Sequence, residues 1–172
     1  AVSQPLEYHD FADQRHAHGI DNFLDVVSNA GFLVFGVIGL FIIGKGRACF
    51  ERPAERWPYI IFFAGLVLTA AGSGYYHLAP NNETLFWDRL PMTLAFMAAL
   101  AYVIEERIDE RIGRMLLWPL ILLGIVSLLI WLRTDDLRLY AWVQFFPVVV
   151  LPLMFWLLAP KYTGTPYWFA AA

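Results

Sequence analysis

Apolar residues fall into five long runs separated by short polar breaks, near Leu24–Gly44, Pro58–Ala79, Thr84–Ile104, Met115–Leu132 and Leu139–Ala159. About 20 residues at a rise of 1.5 Å each cross a bilayer. Each run therefore predicts a membrane-spanning helix. A sixth begins near Pro166 and reaches only Tyr167, Trp168, Phe169 and three alanines before residue 172. The expected fold is all-α: a polytopic transmembrane bundle in one domain, residues 1–172, with five complete helices, the start of a sixth and a sequence that ends inside it. Residues 1–23 form a polar preface without the apolar core of a cleaved signal peptide, so insertion is expected to begin with the first span.

Small and aromatic residues follow the same plan. Gly31, Gly36 and Gly39 in the first span, and Gly65, Gly72 and Gly74 in the second, suit close helix contact in lipid. Pro91, Pro119, Pro147 and Pro152 fall in or near helices, where neighbouring helices tolerate kinks. Trp57, Trp87, Trp118, Trp131, Trp142 and Trp156 are placed like an interfacial belt.

Composition supports this plan: the chain is 59% hydrophobic and 17% aromatic. A net charge of −3 without a basic stripe excludes a nucleic-acid partner. The lone Cys49, placed in a loop, forms no internal disulfide and gives no compartment. Cations set the orientation. Lys45, Arg47, Arg52 and Arg56 follow the first span, and Arg107, Arg111 and Arg114 follow the third, against Arg15, Arg89, Arg133 and Arg138 on the other side. The positive-inside rule then puts the N-terminus outside. Ten arginines against two lysines fit a GC-rich bacterial genome, so a bacterial inner membrane is the expected location.

The candidate chemistry lies at membrane depth, where ionisable groups are expensive and usually functional. His77 is about 28 Å along the second span from Pro58, close to the full hydrocarbon thickness. Ser73 sits one turn deeper on the same face, and Asp88 enters the third span at a similar depth after a short connection. Three readings stand. An imidazole, a carboxylate and a hydroxyl serve a zinc hydrolase, with Ser73 stabilising an oxyanion. They also serve an intramembrane serine protease, although one helical turn between Ser73 and His77 makes general-base geometry awkward. The third reading is a non-catalytic receptor or scaffold in which the polar cluster locks two helices together. Asp25, Ser28 and Asn29 read either as helix-start residues satisfying early N–H groups or as functional.

Gly72-Ser73-Gly74-Tyr75-Tyr76-His77, followed by Trp87-Asp88-Arg89-Leu90-Pro91-Met92, resembles the alkaline ceramidase family, seven-helix membrane hydrolases related to adiponectin receptors. Asp25-Val26-Val27-Ser28-Asn29 is similar to the family's entry into its first helix. The motif-level resemblance spans about residues 8–104. It implies seven helices in the full protein, and His77 as one of three histidine ligands to Zn²⁺. It further implies Asp88 as the group that handles the proton of the attacking water, and Ser73 as oxyanion donor. The implied substrate is a ceramide-like N-acyl sphingoid lipid, cleaved at its amide near the outer face of the membrane.

The family's His-x-x-x-His pair in its seventh helix has no counterpart here, where the other histidines are His9, His16 and His18 in the preface. Two zinc ligands are therefore expected beyond residue 172. The resemblance also implies a Ca²⁺ site before the first span, with ligands Asp10, the carbonyl of Phe11, Asp13 and Asn22. Arg15 and Asn22 stand where that pattern has an amide and a glutamate. His16 and His18 form a second, weaker metal motif on a loop.

Overall fold

A computed structural model describes residues 1–159 apart from Ala12 and Cys49. The expectations for Cys49 and for a sixth span near Pro166 lie outside the described residues. The elements are α1 (Phe23–Ser28), α2 (Ala30–Gly44), α3 (Arg56–Leu78), α4 (Asn82–Arg107), α5 (Glu110–Thr134) and α6 (Arg138–Leu157), with 3₁₀ turns at Leu6–His9 and Pro53–Glu55. The protein is a helical membrane bundle. Four helical stretches, Phe23–Gly44, Pro53–Leu78, Glu110–Thr134 and Arg138–Leu157, are long and apolar enough to cross a bilayer.

The exception is α4, predicted as the third span. Glu83, Asp88, Arg89, Glu105, Glu106 and Arg107 make it too polar to qualify by composition. It is nonetheless the centre of the bundle, packed against α3, α5 and α6. Leu85, Thr93, Ala98, Ala101 and Val103 have no exposed surface. Its 26 residues give a length of about 39 Å, enough to cross. Of its charges, Arg89, Glu105 and Glu106 are buried within the fold, while apolar side chains such as Phe35 and Ile38 on α2 and Leu122 on α5 face outward into lipid.

Two boundaries differ from the sequence reading for identifiable reasons. The first span is broken at Asn29, where Ser28 Oγ and Asn29 Nδ2 donate to the Asp25 carbonyl at 3.0 and 2.7 Å. These side chains compete with the backbone ladder instead of capping N–H groups. The helix-start role falls to Asp13, whose carboxylate accepts Leu24 N–H at 2.9 Å. The other difference is at α5, which begins five residues before Met115 because Asp109 accepts from Arg111 N–H and Ile112 N–H at 2.8 and 2.9 Å. Those two bonds hold the Asp109 carboxyl below the usual carboxylate range. Arg111 and Arg114, read as loop charges, thus lie on a helix, with Arg114 3.3 Å from Glu105 and 3.7 Å from Glu55.

Close glycine contacts build the bundle, as expected, at Gly36, Gly39, Gly65 and Gly72. Gly36 and Gly39 seat α2 on Val67 and Phe63 of α3; Gly31 and Gly74, by contrast, face open space. Trp131 departs from the belt: it is 2% exposed, whereas Trp57, Trp87, Trp118, Trp142 and Trp156 are exposed.

Candidate functional site

α3 and α4 are joined by Ala79–Asn81, and the turn is rigid. Asn81 Oδ1 accepts Thr84 N–H at 3.0 Å, while Thr84 Oγ1 accepts Asn81 N–H at 3.2 Å and donates to the Ala79 carbonyl at 2.7 Å. The helices then run back against each other through two glycines. A Cβ at Gly65 would lie 2.9 Å from Ala95, and one at Gly72 would lie 2.0 Å from the carbonyl oxygen of Trp87. Only hydrogen fits at Gly72. That contact fixes the register in which its neighbour Ser73 meets Asp88, the neighbour of Trp87.

Ser73 is buried, and its hydroxyl and the His77 imidazole both lie near the Asp88 carboxylate. The structure thus brings the three expected residues together. Asp88 Oδ1 and His77 Nδ1 are both buried without a hydrogen-bond partner. Most buried polar atoms are paired, and leaving one unpaired costs about 1–3 kcal/mol. Both atoms keep bonding capacity that a bound group could use. An apolar groove of about 400 Å³ runs beside the seam, lined by Leu68, Tyr75, Trp87 and Leu94 among others. At 100° per residue, Leu68 and Tyr75 fall on the flank of α3 away from Ser73, so the groove meets lipid across the seam from the cluster.

The N-terminal preface closes this end of the bundle, a role the sequence reading missed. Phe11 packs against the His77 ring, with centroids 4.5 Å apart and planes inclined by 54°. Asn22 Nδ2 donates to the His77 carbonyl at 2.8 Å, and Asp25 Oδ2 stands 4.0 Å from His77 Nδ1. His9 is half-buried: its Nδ1 shares a 2.9 Å hydrogen bond with the Tyr76 hydroxyl and its Nε2 a 3.0 Å bond with Asn82 Oδ1. Further back, Leu137 N–H donates to the Val2 carbonyl at 2.8 Å, and Val2 N–H to Asp136 at 3.3 Å. Arg138 clamps the same Asp136 and, with the Val2 N–H, holds its carboxyl well below the usual range.

Arg89, one of the cations placed on the outer side by the sequence, is 6% exposed. Its guanidinium lies 4.6 Å from the Trp131 ring centre, 4.7 Å from Tyr140 and 5.4 Å from Tyr8, and it donates to Gln4 Oε1 at 2.7 Å. The aromatic neighbours explain how the cation is tolerated and why Trp131 left the belt. Arg89→Met is expected to release the N-terminal strap and to lower stability by about 1–3 kcal/mol through the lost charged hydrogen bond and ring contacts. Thermal unfolding in detergent, with limited proteolysis of residues 1–22, measures both; an unchanged cleavage rate would rule the strap role out.

For metals, the described residues hold no group of three His, Cys, Asp or Glu side chains able to take an ion. Of the three histidine ligands implied for zinc, this set contains His77. The residues named for calcium make protein contacts: Asp10 accepts from Gln14 at 3.0 Å, Asp13 binds Leu24 N–H and lies 3.2 Å from Arg15, and Asn22 holds the His77 carbonyl. Phe11 contributes its ring to His77 and Tyr76. His16 pairs with Asp21 at 2.6 Å while His18 meets the Phe23 ring, so the two imidazoles have separate partners.

Neither a curated protein nor a solved structure matches the chain. The family model described as Ceramidase matches residues 12–163, from the strap that covers His77 through both helices carrying Ser73 and Asp88, and the chain belongs to the ceramidase family.

Proposed function

We propose that this protein is a zinc-dependent membrane amidase that hydrolyses ceramide-like N-acyl sphingoid lipids to a sphingoid base and a fatty acid. Family membership supports a hydrolase acting on amide bonds of such lipids. The observation that supports the finer reading is the Ser73–Asp88–His77 cluster, in which two polar atoms are buried without a partner.

Each residue has a role suited to its environment. Asp88 takes a proton from the attacking water as its oxygen adds to the amide carbon, and delivers that proton to the nitrogen as the C–N bond breaks. Ser73 offers its hydroxyl to the carbonyl oxygen, where negative charge develops. His77 would offer its imidazole to zinc as one of the three histidine ligands that the family resemblance implies. Zinc, when bound, lowers the pKa of water to about 7 and polarises the carbonyl. The site end of the bundle is then the outer face, where a lipid amide lies level with His77, and the N-terminus is extracytoplasmic. A serine-nucleophile reading is weaker because Ser73 and His77 sit one turn apart on the same helix, which makes general-base geometry awkward.

Fatty-acid release from ceramide in mixed micelles tests this reading. A strong zinc chelator is expected to reduce the rate at least about 100-fold, and added Zn²⁺ to restore it. Release that continues at the original rate in metal-stripped protein would refute zinc dependence. Labelling of Ser73 by a serine-directed phosphonate would favour the protease instead.

A further inference from the structure

α4 ends on Arg107, at the end of the bundle opposite the Ser73–Asp88–His77 cluster. One of its nitrogens has a structural task. Nη1 donates to the carbonyl of Leu158, the residue that ends α6, as cations near helix C-termini commonly do. Phe155, also on α6, holds its ring centre 4.7 Å from the guanidinium carbon. The opposite edge is left over: Nε and Nη2 are both buried, and neither has a hydrogen-bond partner.

These two nitrogens share one side of the guanidinium and present parallel N–H groups. That fork takes two oxygens of a phosphate or a carboxylate at once. The acids nearest in sequence are engaged elsewhere. Glu105 faces Arg114 at 3.3 Å, and Glu106 accepts the Tyr102 hydroxyl. Asp109 caps α5, and Glu110 stands 3.5 Å from Arg52. Among the described residues, Arg107 forms no ion pair with a carboxylate. Because the fork is shielded from water, each N–H···O⁻ bond made there is stronger than one made in solvent. Arg107 as a whole is only half-buried, so a bound group has to move side chains, not helices, to meet this edge.

Depth selects between the two oxyanions. Arg107 lies about 28 Å along α4 from Asp88, close to the hydrocarbon thickness of about 30 Å. Exposed Trp57 and Trp156, in the first turn of α3 and the last turn of α6, mark the same level as interfacial. Lys45, Arg47, Arg56 and Arg111 stand at this end too, and their field draws anionic headgroups. We propose that Arg107 binds a phosphate group in the membrane's headgroup layer through Nε–H and Nη2–H. The site is separate from the chemistry at the other end and does not depend on it.

The test uses the purified full chain in neutral detergent, with bound lipid counted by native mass spectrometry. The probes are phosphatidylglycerol, a diacylglycerol with the same acyl chains, and inorganic phosphate. Phosphatidylglycerol is expected to be retained where diacylglycerol is lost. Arg107→Gln is expected to weaken that binding about 10–100-fold, whereas Arg111→Gln, which removes a cation elsewhere at this end, leaves it unchanged. Arg107→Lys keeps the charge without the fork and is expected to fall between the parent and Arg107→Gln; it decides the matter if Arg107→Gln does not fold. Displacement of the lipid by inorganic phosphate identifies free phosphate as a competent occupant, and failure to displace it identifies a lipid headgroup; both support the fork. Equal retention of the two lipids, parent-like binding in Arg107→Lys, or the same loss in Arg111→Gln as in Arg107→Gln overturns the proposal.

Discussion

Asp88→Asn is expected to lower ceramide hydrolysis by about 10²–10⁴-fold with little change in KM. The substitution is nearly isosteric, and its amide can still meet the Ser73 hydroxyl, so the α3–α4 register should survive. What it cannot do is accept a proton from water and return it to the amine. Folding is expected to be unharmed or improved, because a neutral amide is cheaper to bury than a carboxylate with one unpartnered oxygen. Ser73→Ala serves as the comparison. If the serine only stabilises an oxyanion, its loss costs about 10²–10³-fold and leaves measurable turnover. If Ser73 is the nucleophile, the order reverses and Ser73→Ala becomes the more damaging change. Fatty-acid release by both variants, measured with circular dichroism and unfolding temperature, therefore separates the two chemistries. Asp88→Asn activity within a few-fold of the parent would leave both acid–base and zinc-amidase readings without their central residue.

The sequence showed the cluster because it depends on local arithmetic. Ser73 and His77 are i and i+4 on a helix, the connection to α4 is short, and Asp88 enters at matching depth. Four of the helices were legible for a similar reason, since lipid-facing segments advertise themselves by apolar length, and α4 was marked by its apolar middle between charged ends. What stayed hidden was long-range or polar in origin. Arg89 looked like an interfacial charge because sequence does not announce that Trp131, Tyr140 and Tyr8 converge on it from three separate elements. The start of α5 was read as loop because Glu110–Arg114 is charged, although the Asp109 cap marked it. Asp25 lay within a recognised segment, yet its direction toward His77 depends on the helix break at Asn29, a competition between side chain and backbone that spacing does not resolve.

Gly72→Ala is the second large effect expected, and it is a geometric one. The added methyl would sit 2.0 Å from the Trp87 carbonyl oxygen and 2.8 Å from its carbon, well inside contact distance, and the obstacle is helix backbone that cannot rotate away. α3 and α4 must separate or slide. Overpacking of this kind costs about 1–3 kcal/mol, and a displacement near 1 Å between Ser73 and Asp88 costs about 10²-fold in rate. Gly74→Ala supplies the control, two residues away on the same helix: a Cβ there meets nothing within 4 Å, and alanine is the better helix former by about 1 kcal/mol. A general effect of losing glycine from α3 would damage both variants alike. A requirement for backbone contact at the site should leave Gly74→Ala active and as stable as the parent, while Gly72→Ala loses both hydrolysis and unfolding temperature. Full activity in Gly72→Ala would mean that the register of α3 on α4 does not set the distance between Ser73 and Asp88, and the site would have to be assembled by other contacts.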